Sequence, residues 1–341
     1  MKFIIIYFTL FTTLLFSNII DINSKKPSIS NTPKKIVAIG PGALRLVTIM
    51  NLQDKLVGIE KIEYKAIGFS EYRTVLGKNK ITSLPLIGVG GPGKLPNLEK
   101  IIMLKPDIII SSFIGKKQLE LIQQKTKIPI LALSYGLGYG GSEQKIEAIK
   151  KSLKLMGDIF KKEQRAKKII NFMNAQEKEF KTYTLNKNNL YVGGIGFKGA
   201  HGITSSEKSY PPFELLGIKN PLTTKAKTNH MFIQKESLLS QNPDMIFLDM
   251  FAKKIIKEDF KKQQMLYTSL DAYKNNKIYW LLPYNFYNTN ISNVYINSWI
   301  ILQKLGNNIN IEEKMTEIYD IFYENGSKKL LKSRYPIVNF K

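Results

Sequence analysis

Imidazole chemistry in this chain is limited to His201 and His230, because its 341 residues include two histidines and no cysteine. This composition excludes disulfides, a thiolate nucleophile, cysteine-ligated zinc and iron–sulfur clusters. Neither histidine has a serine or an acid at a spacing typical of hydrolases. His201 lies in a glycine-flanked loop beside Lys198, where a ligand can approach the backbone closely. We therefore interpret His201 as a candidate binding residue rather than a catalytic one.

Two glycine-rich segments resemble nucleotide-binding motifs without completing them. Residues 88–94 (GVGGPGK) match the start of a phosphate-binding loop, but Leu95 stands where Ser or Thr would hold magnesium, and Pro92 has no N–H to donate. Residues 194–199 (GIGFKG) satisfy G-x-G-x-x-G, yet no helix is predicted after them to receive a pyrophosphate. Neither segment therefore indicates nucleotide binding.

An internal repeat places one glutamate at the same position in each half of the chain. In residues 97–110 (NLEKIIMLKPDIII) and 234–247 (QKESLLSQNPDMIF), Glu99 and Glu236 each lie seven residues before a Pro-Asp pair. The pattern predicts a helix with an acid in its first turn, ended by proline and followed by a buried strand. Helix capping alone would also account for both acids.

Short apolar runs alternate with segments of helical spacing along the chain. Two groups of strands are predicted, at residues 36–39, 55–59, 108–111 and 129–133, and at residues 190–195, 245–249 and 277–281. Such alternation is typical of βαβ units and parallel sheets. The predicted fold class is therefore α/β, with two lobes that each have a mainly parallel central sheet.

Between the two groups, residues 158–190 contain no glycine or proline. Apolar residues recur there at helical spacing, and residues 163–184 would form a helix about 33 Å long if it is continuous. A helix of that length can bridge two lobes. The alternative is a crossover helix within a single sheet.

The N-terminus has the pattern of a secretory signal. Lys2 is followed by an uncharged segment whose apolar centre, residues 3–16, is shorter than a membrane span. Cleavage after Ser17 is expected, with an uncleaved anchor as the alternative. The predicted organisation is a signal peptide (1–17), a linker (18–34), an N-terminal lobe (35–157), a linking helix (158–188) and a C-terminal lobe (189–341).

The formal net charge is +24, from 51 basic and 27 acidic residues. Such a charge is compatible with a nucleic acid, an anionic membrane surface or an anionic ligand as partner. The lysines are scattered through every segment, whereas a nucleic-acid binder gathers them on one face. Export also argues against genomic DNA or cytoplasmic RNA as the natural partner, so nucleic acid is not the expected partner.

The chain after residue 34 resembles the substrate-binding proteins of ABC importers for iron chelates, haem, cobalamin and related metal complexes. The segments that carry the resemblance are residues 34–60, 87–110, 191–203, 210–220 and 277–287. The resemblance implies a class III periplasmic binding protein, in which one long helix bridges two α/β lobes and ligand binds between them. It also implies a periplasmic monomer without a cofactor or catalytic residues, whose partners are a small-molecule metal chelate and an ABC permease with its ATPase.

Mapped onto this sequence, the resemblance places the ligand among loops that follow the strands. These loops are residues 40–45, 62–73, 111–116 and 134–140 in the first lobe, and 197–204, 249–251 and 283–288 in the second. The side chains expected to bind ligand are Arg45, Tyr72, Arg73, Lys198, His201, Tyr210, Tyr284, Asn285 and Tyr287.

Cations and phenols of this kind suit an anionic chelate, with a ferric siderophore favoured. No residue is expected to bind a bare metal directly, with His201 as the one candidate. Glu99 and Glu236 resemble the acids that dock on the permease. Three alternatives stay open: an oxyanion such as molybdate, another metal complex (nickel or cobalt, haem, cobalamin), and an enzyme acting on an anionic substrate.

Overall fold

The computed structural model describes residues 19–21, 31–65, 70–91, 93–134, 142–185, 189–224 and 228–334. The predicted signal peptide lies outside these residues, as does much of the predicted linker. In the described ranges, no helix combines the length and apolar character needed to span a bilayer.

The first sheet has five parallel strands in the order β1-β5-β4-β2-β3. Its strands are β1 (Ile19–Asp21), β2 (Ile36–Ile39), β3 (Leu56–Gly58), β4 (Ile108–Ser112) and β5 (Ile130–Leu133). Every residue of β2 and β4 is buried, because helices cover both faces of the sheet. This burial explains why these strands are continuous apolar runs rather than alternating ones. We call this half of the protein the N-lobe.

Strand β1 corrects the prediction that residues 18–34 form a linker. Ile19 and Ile20 pair in parallel with Ile130 and Leu131 at the edge of the sheet, and Ile20 is buried. The segment has three residues, too few for a periodicity that would distinguish it from the apolar segment before it.

The second half, the C-lobe, has a parallel sheet of three strands in the order β10-β9-β6 and a two-stranded antiparallel ribbon. The sheet contains β6 (Leu190–Gly193), β9 (Met245–Asp249) and β10 (Ile278–Leu281), and the ribbon pairs β7 (Ser205–Glu207) with β8 (His230–Phe232). All seven predicted strands are present, and the prediction of α/β lobes with parallel sheets is confirmed.

Fourteen α-helices surround the sheets in the described residues. They are α1 (Ala43–Ile49), α2 (Glu71–Ser83), α3 (Leu98–Leu104), α4 (Lys116–Thr126), α5 (Ser142–Phe160), α6 (Glu163–Phe180), α7 (Pro211–Leu215), α8 (Lys235–Gln241), α9 (Lys253–Lys262), α10 (Gln264–Thr268), α11 (Asp271–Lys274), α12 (Ile291–Lys304), α13 (Ile311–Tyr323) and α14 (Ser327–Arg334).

The helix between the lobes is shorter than the predicted 158–188. Helix α5 ends at Phe160, Lys161 adopts a left-handed conformation with φ 55°, and α6 covers 18 residues, about 27 Å. Gly157 lets α5 and α6 pack closely, since a Cβ at this position would lie 3.0 Å from Cβ of Ala166. Apolar residues were expected at helical spacing on one face of this helix. Two residues of that face, Ile169 and Met173, are fully buried, which agrees with the expectation.

The C-terminal helices return to the N-lobe. Arg165 on α6 donates hydrogen bonds to the backbone carbonyls of Ile49 (3.0 and 3.1 Å) and Phe322 (3.0 Å), and it forms a salt bridge with Glu324 (2.8 Å). Helix α14 then packs on α2 of the N-lobe. One apolar core cluster consequently contains residues of both lobes and of the C-terminal helices.

Candidate ligand-binding site

The loops at the carboxyl ends of strands from both lobes meet at one boundary. In the N-lobe these loops follow β2 and β3, and in the C-lobe the loop follows β10. Asn288 donates a hydrogen bond through Nδ2 to the carbonyl of Pro41 (3.3 Å), and Arg45 donates to the carbonyl of Phe286 (3.0 Å). Carboxyl ends of parallel strands are the usual position of binding sites in open α/β sheets. We call this region the lobe boundary.

Arg45 lies on α1, directly after the glycine-rich turn that follows β2. Its Nη2 donates to Oδ1 of Asn290 (2.5 Å) as well as to the carbonyl of Phe286, and its guanidinium carbon lies 4.7 Å from the centre of the Tyr72 ring. The side chain is fully buried. Arg45 therefore connects the lobes in this structure.

Arg73 on α2 forms a salt bridge through Nε with Glu63 (2.5 Å), and Nη1 donates to the carbonyl of Lys65 (2.8 Å). Its guanidinium carbon lies 4.6 Å from the centre of the Phe286 ring and 5.7 Å from that of Tyr287. Burial alone would lower the pKa of Arg73, but its neighbours, among them the Glu63 carboxylate, raise it overall. Nη2 is buried, and no described residue accepts a hydrogen bond from it.

Tyr72 lies beside these arginines and donates a hydrogen bond through its hydroxyl to Oε2 of Glu63 (2.6 Å). Burial raises the pKa of this phenol, so its hydroxyl stays protonated and donates at neutral pH. Glu63 thus accepts from both Tyr72 and Arg73.

A second polar contact between the lobes joins Glu60 and Tyr287. Oε2 of Glu60 accepts hydrogen bonds from the Tyr287 hydroxyl (2.8 Å) and from the backbone N–H of Gly40 (3.0 Å). The Tyr287 oxygen in turn accepts from the N–H of Gly91 (3.1 Å). Burial raises the pKa of Glu60 to about 7, and these two hydrogen bonds offset only part of that effect.

The C-lobe loop that carries Tyr287 is held in an unfavourable backbone conformation. Tyr287 has φ 50° and Asn288 has φ 83°, a region that residues with a Cβ rarely occupy. Both side chains contact the N-lobe, which stabilises the strained conformation.

The two histidines lie together in the C-lobe. His230 stacks on Phe197 with ring centres 4.2 Å apart, and His201 lies 6.3 Å from His230. Ser205 donates its hydroxyl proton to the carbonyl of Ile195 (2.6 Å), so its oxygen accepts from Nε2 of His230 (2.9 Å). Burial lowers the pKa of His230 to about 4, and His201 contributes to the same shift.

His201 has a different hydrogen-bonding pattern. Its Nε2 lies 2.6 Å from the carbonyl of Phe197, and a carbonyl can only accept, so Nε2 carries the proton. Nδ1 is the ring nitrogen left outside this bond, and it accepts a hydrogen bond when the ring is neutral. Lys198 is exposed beside it, with its ammonium 5.4 Å from the centre of the Phe197 ring. In the described residues no group of three or more His, Asp or Glu side chains is arranged to hold a metal ion.

The structure separates the nine predicted binding residues into three groups. Arg45, Tyr72 and Arg73 are buried at the lobe boundary, and Tyr210 and Tyr284 pack edge to face in the C-lobe core with ring centres 5.2 Å apart. The accessible group comprises Lys198, His201, Asn285 and Tyr287. Of the predicted loops, residues 66–69 and 135–140 lie outside the described residues. Whether any of the nine contacts ligand stays a prediction.

Sequence reasoning missed the acids of the lobe boundary. Glu60 and Glu63 bind Tyr287 and Arg73, and Oε1 of Glu71 accepts from Ser292 (2.9 Å) at the start of α12. Glu60 directly follows the residues of a predicted strand, and an acid at that position is a signal that could have identified it. The Glu63 carboxylate offsets the charge of Arg73, so the boundary is less cationic than predicted.

The two repeat segments form the same local structure. Helices α3 and α8 have seven residues each, end at left-handed Lys105 (φ 48°) and Asn242 (φ 41°), and lead through Pro-Asp into five-residue strands. Asn97 caps α3 through its side chain, and α8 has no side-chain cap. Glu99 and Glu236 are exposed in the first turns, so neither acid is the residue that caps its helix.

Comparison with known proteins gives a consistent family match. The sequence profile of the periplasmic binding protein family matches residues 36–284. The high-affinity heme uptake system protein IsdE of Staphylococcus aureus is 23% identical over 277 residues, which cover 78% of this chain and 84% of that protein. The Fe(3+)-citrate-binding protein YfmC of Bacillus subtilis is 27% identical over 266 residues, covering 77% and 78%.

The fold is also similar to a solved structure. The molybdate periplasmic binding protein MolA of Haemophilus influenzae, in its molybdate-bound form, superposes with a TM-score of 0.62 at 15% sequence identity. The superposition covers 87% of this chain and 94% of that chain.

Proposed function

The chain belongs to the periplasmic binding protein family, and from that premise we propose that it captures an anionic ferric chelate, such as a siderophore complex, at the lobe boundary. The matched relatives are binding proteins of ABC importers rather than enzymes, so no catalytic step is assigned. Its partners are accordingly a permease with its ATPase and a small-molecule ligand. The class III fold supports this assignment.

The preference for an anionic ligand rests on the hydrogen bonding of the Arg73 guanidinium. Its Nε and Nη1 are occupied by Glu63 and Lys65, whereas Nη2 is buried at the boundary without an acceptor among the described residues. A buried guanidinium N–H without an acceptor is costly. A carboxylate, catecholate or other anionic oxygen of a ligand would supply the acceptor with a charge-assisted hydrogen bond.

The accessible residues of the C-lobe suit the same ligand. Lys198 supplies an exposed cation, Nδ1 of His201 supplies an acceptor, and the Tyr287 ring is partly exposed. These groups are spaced along two loops that adjoin each other, because a Cβ at Gly196 would lie 3.3 Å from the carbonyl oxygen of Asn285. We propose that ligand first contacts the four accessible residues Lys198, His201, Asn285 and Tyr287.

Iron is favoured as the metal by two considerations. Two of the relatives are named for heme uptake and for Fe(3+)-citrate binding. The whole sequence offers two histidines and no cysteine, which fits a metal already wrapped by a chelator better than a bare ion. The structural relative bound to molybdate makes an oxyanion the second candidate, since Nη2 of Arg73 would serve an oxyanion equally well.

Titration of the purified protein tests the proposal. Ferric citrate, a ferric catecholate, a neutral ferric hydroxamate, haem and molybdate are added separately while Trp and Tyr fluorescence is followed. We expect saturable quenching by an anionic ferric complex and weaker binding of the neutral hydroxamate. Tight binding of molybdate alone would indicate that the ligand is an oxyanion rather than an iron complex. No response to any of the five compounds would overturn the proposal.

A matched pair of variants locates the site. Lys198→Gln should weaken binding of the anionic complex several-fold, because it removes a cation beside the proposed ligand. The control Lys261→Gln makes the same change at an exposed lysine on α9 and should leave the affinity for the complex unchanged. Equal effects of the two variants would place the ligand elsewhere.

The permease contact is a separate part of the proposal. Glu99 and Glu236 would bind cationic pockets, one on each lobe, so the double variant Glu99→Gln/Glu236→Gln should lose uptake while keeping its affinity for the ligand. Normal uptake by this variant would remove the docking role from both acids.

A further inference from the structure

The exposed apolar side chains of the protein are unevenly distributed around the two repeated glutamates. Ten large hydrophobic residues are exposed in the described ranges. Four of them lie between residues 89 and 103, one lies just before α8, and one lies on α8. They are Val89, Leu95, Ile102 and Met103 near α3, and Phe232 and Leu239 near α8. Single exposed hydrophobic residues need no explanation, but a concentration of them marks an interaction surface.

The two helices present an acid and an aliphatic side chain at the same spacing. Ile102 follows Glu99 by three residues on α3, and Leu239 follows Glu236 by three residues on α8. Residues three apart on a helix are neighbours on its surface. Both aliphatic side chains are partly solvent-exposed, Ile102 at 45% and Leu239 at 39%. The repeat therefore duplicates a surface pair as well as a helix–strand unit.

Helix α3 begins beside the lobe boundary, and α8 begins after the ribbon that packs on the neighbouring C-lobe loop. A Cβ at Gly88 would lie 3.1 Å from Cα of Pro96, just before α3, and Gly91 in the same loop contacts Tyr287 of the C-lobe. Helix α8 begins three residues after Phe232, the end of the ribbon whose His230 stacks on Phe197.

The position that follows each pair differs between the lobes. Met103, four residues after Glu99, is 78% exposed, whereas the corresponding residue on α8 is Ser240. Leu95 and Val89 are further exposed apolar residues before α3, and Phe232 is the exposed apolar residue before α8. The two surfaces thus share an acid–aliphatic pair, and α3 alone carries a further exposed apolar side chain, Met103, directly after that pair.

We propose that the permease docks on two acid–aliphatic pairs, Glu99 with Ile102 and Glu236 with Leu239, and that Met103 makes the N-lobe contact the more apolar of the two. The inference rests on the proposed function for the identity of the partner. The partner surface is a cation beside an apolar pocket, because the carboxylate requires a positive charge and the aliphatic group requires a dry contact.

Serine variants with matched controls test the aliphatic contribution. Ile102→Ser and Leu239→Ser should each weaken binding of the full-length protein to the permease–ATPase complex in nanodiscs about fivefold, as expected for losing a half-exposed aliphatic side chain from an interface. The control Leu121→Ser changes a residue of similar exposure (41%) on α4. Met103→Ser is paired in the same way with Met265→Ser, whose methionine is 81% exposed.

Salt dependence separates the two members of each pair. Binding by Ile102→Ser should keep the salt dependence of the unmodified protein, and binding by Glu99→Gln should lose part of it. The inference is overturned if Ile102→Ser and Leu239→Ser bind like the unmodified protein, or if Leu121→Ser weakens binding equally. Ligand affinity is measured on the same proteins, so a failure to bind any chelate identifies failure of the proposed function instead.

Discussion

Replacing Glu60 by glutamine examines how the contact between the lobes depends on pH. Both hydrogen bonds that Glu60 accepts, from the Tyr287 hydroxyl and from the N–H of Gly40, end on the same oxygen, Oε2. The amide oxygen of glutamine can occupy that position and accept both bonds. Glu60→Gln therefore removes the titration while preserving the contact.

The direction of the pH effect follows from the raised pKa of Glu60. The folded protein keeps a proton on this buried carboxyl over a range in which the unfolded chain has lost it, so stability is greatest below the unfolded pKa and declines as the pH rises through the folded one. With a pKa of 4.5 for the unfolded chain and about 7 in the folded protein, Glu60 lowers the free energy of unfolding by about 2.5 kcal/mol between about pH 5 and pH 8.

Urea denaturation followed by the fluorescence of Trp280 and Trp299, both fully buried, measures this effect. The difference in the free energy of unfolding between Glu60→Gln and the unmodified protein should rise in favour of the variant by about 2.5 kcal/mol from pH 5 to pH 8. The control Glu312→Gln changes an exposed acid on α13 and should show no such trend. A difference for Glu60→Gln that is constant with pH would refute the reasoning.

Three further outcomes are expected. Tyr287→Phe removes the hydroxyl bound to Glu60 and should cost about 1 to 2 kcal/mol, and a double-mutant cycle with Glu60→Ala, which removes the acceptor, would contradict it by giving no coupling. His230, with a pKa lowered to about 4 by burial, should stay neutral at pH 6 in an NMR titration and should destabilise the protein as the pH falls from 6.5 towards 4; titration above pH 6 would contradict this. Trp299→Phe removes the N–H that binds Oε1 of Gln176 at 2.6 Å and should lower the free energy of unfolding by about 2 kcal/mol or more, so a loss well below 1 kcal/mol in urea would show that Gln176 finds another donor.

The buried strands were predictable because their physical requirement is local. A parallel strand covered on both faces must be apolar at every position, as β2 and β4 are. The ribbon of β7 and β8 was not predicted, because β7 reads Ser-Ser-Glu. Its serines are buried and donate hydrogen bonds to neighbouring backbone carbonyls. Ser205 donates to the carbonyl of Ile195 and Ser206 to that of Val192, both at 2.6 Å. Polar burial of this kind leaves no hydrophobic pattern.

The lobe boundary was predicted in part for a similar reason. The family resemblance implied Arg45, Arg73 and Tyr287 as binding residues, and the structure brings these three together. Their partners could not be predicted, because the contact of Glu60 with Tyr287 joins residues 227 positions apart. No local pattern in the sequence indicates such a pairing. The pairing also determines how strongly Glu60 and Tyr287 can interact with a ligand.

The return of the C-terminal helices to the N-lobe has a consequence for the order of folding. Arg165 can form its contacts with Phe322 and Glu324 only after those residues have been made, and the second contact spans 159 residues. Asn51 binds the same glutamate across 273 residues. Contacts of such sequence separation form late and slowly. The N-lobe therefore completes its packing last although it is synthesised first, and a chain halted before α13 would expose the apolar surface that α13 and α14 cover.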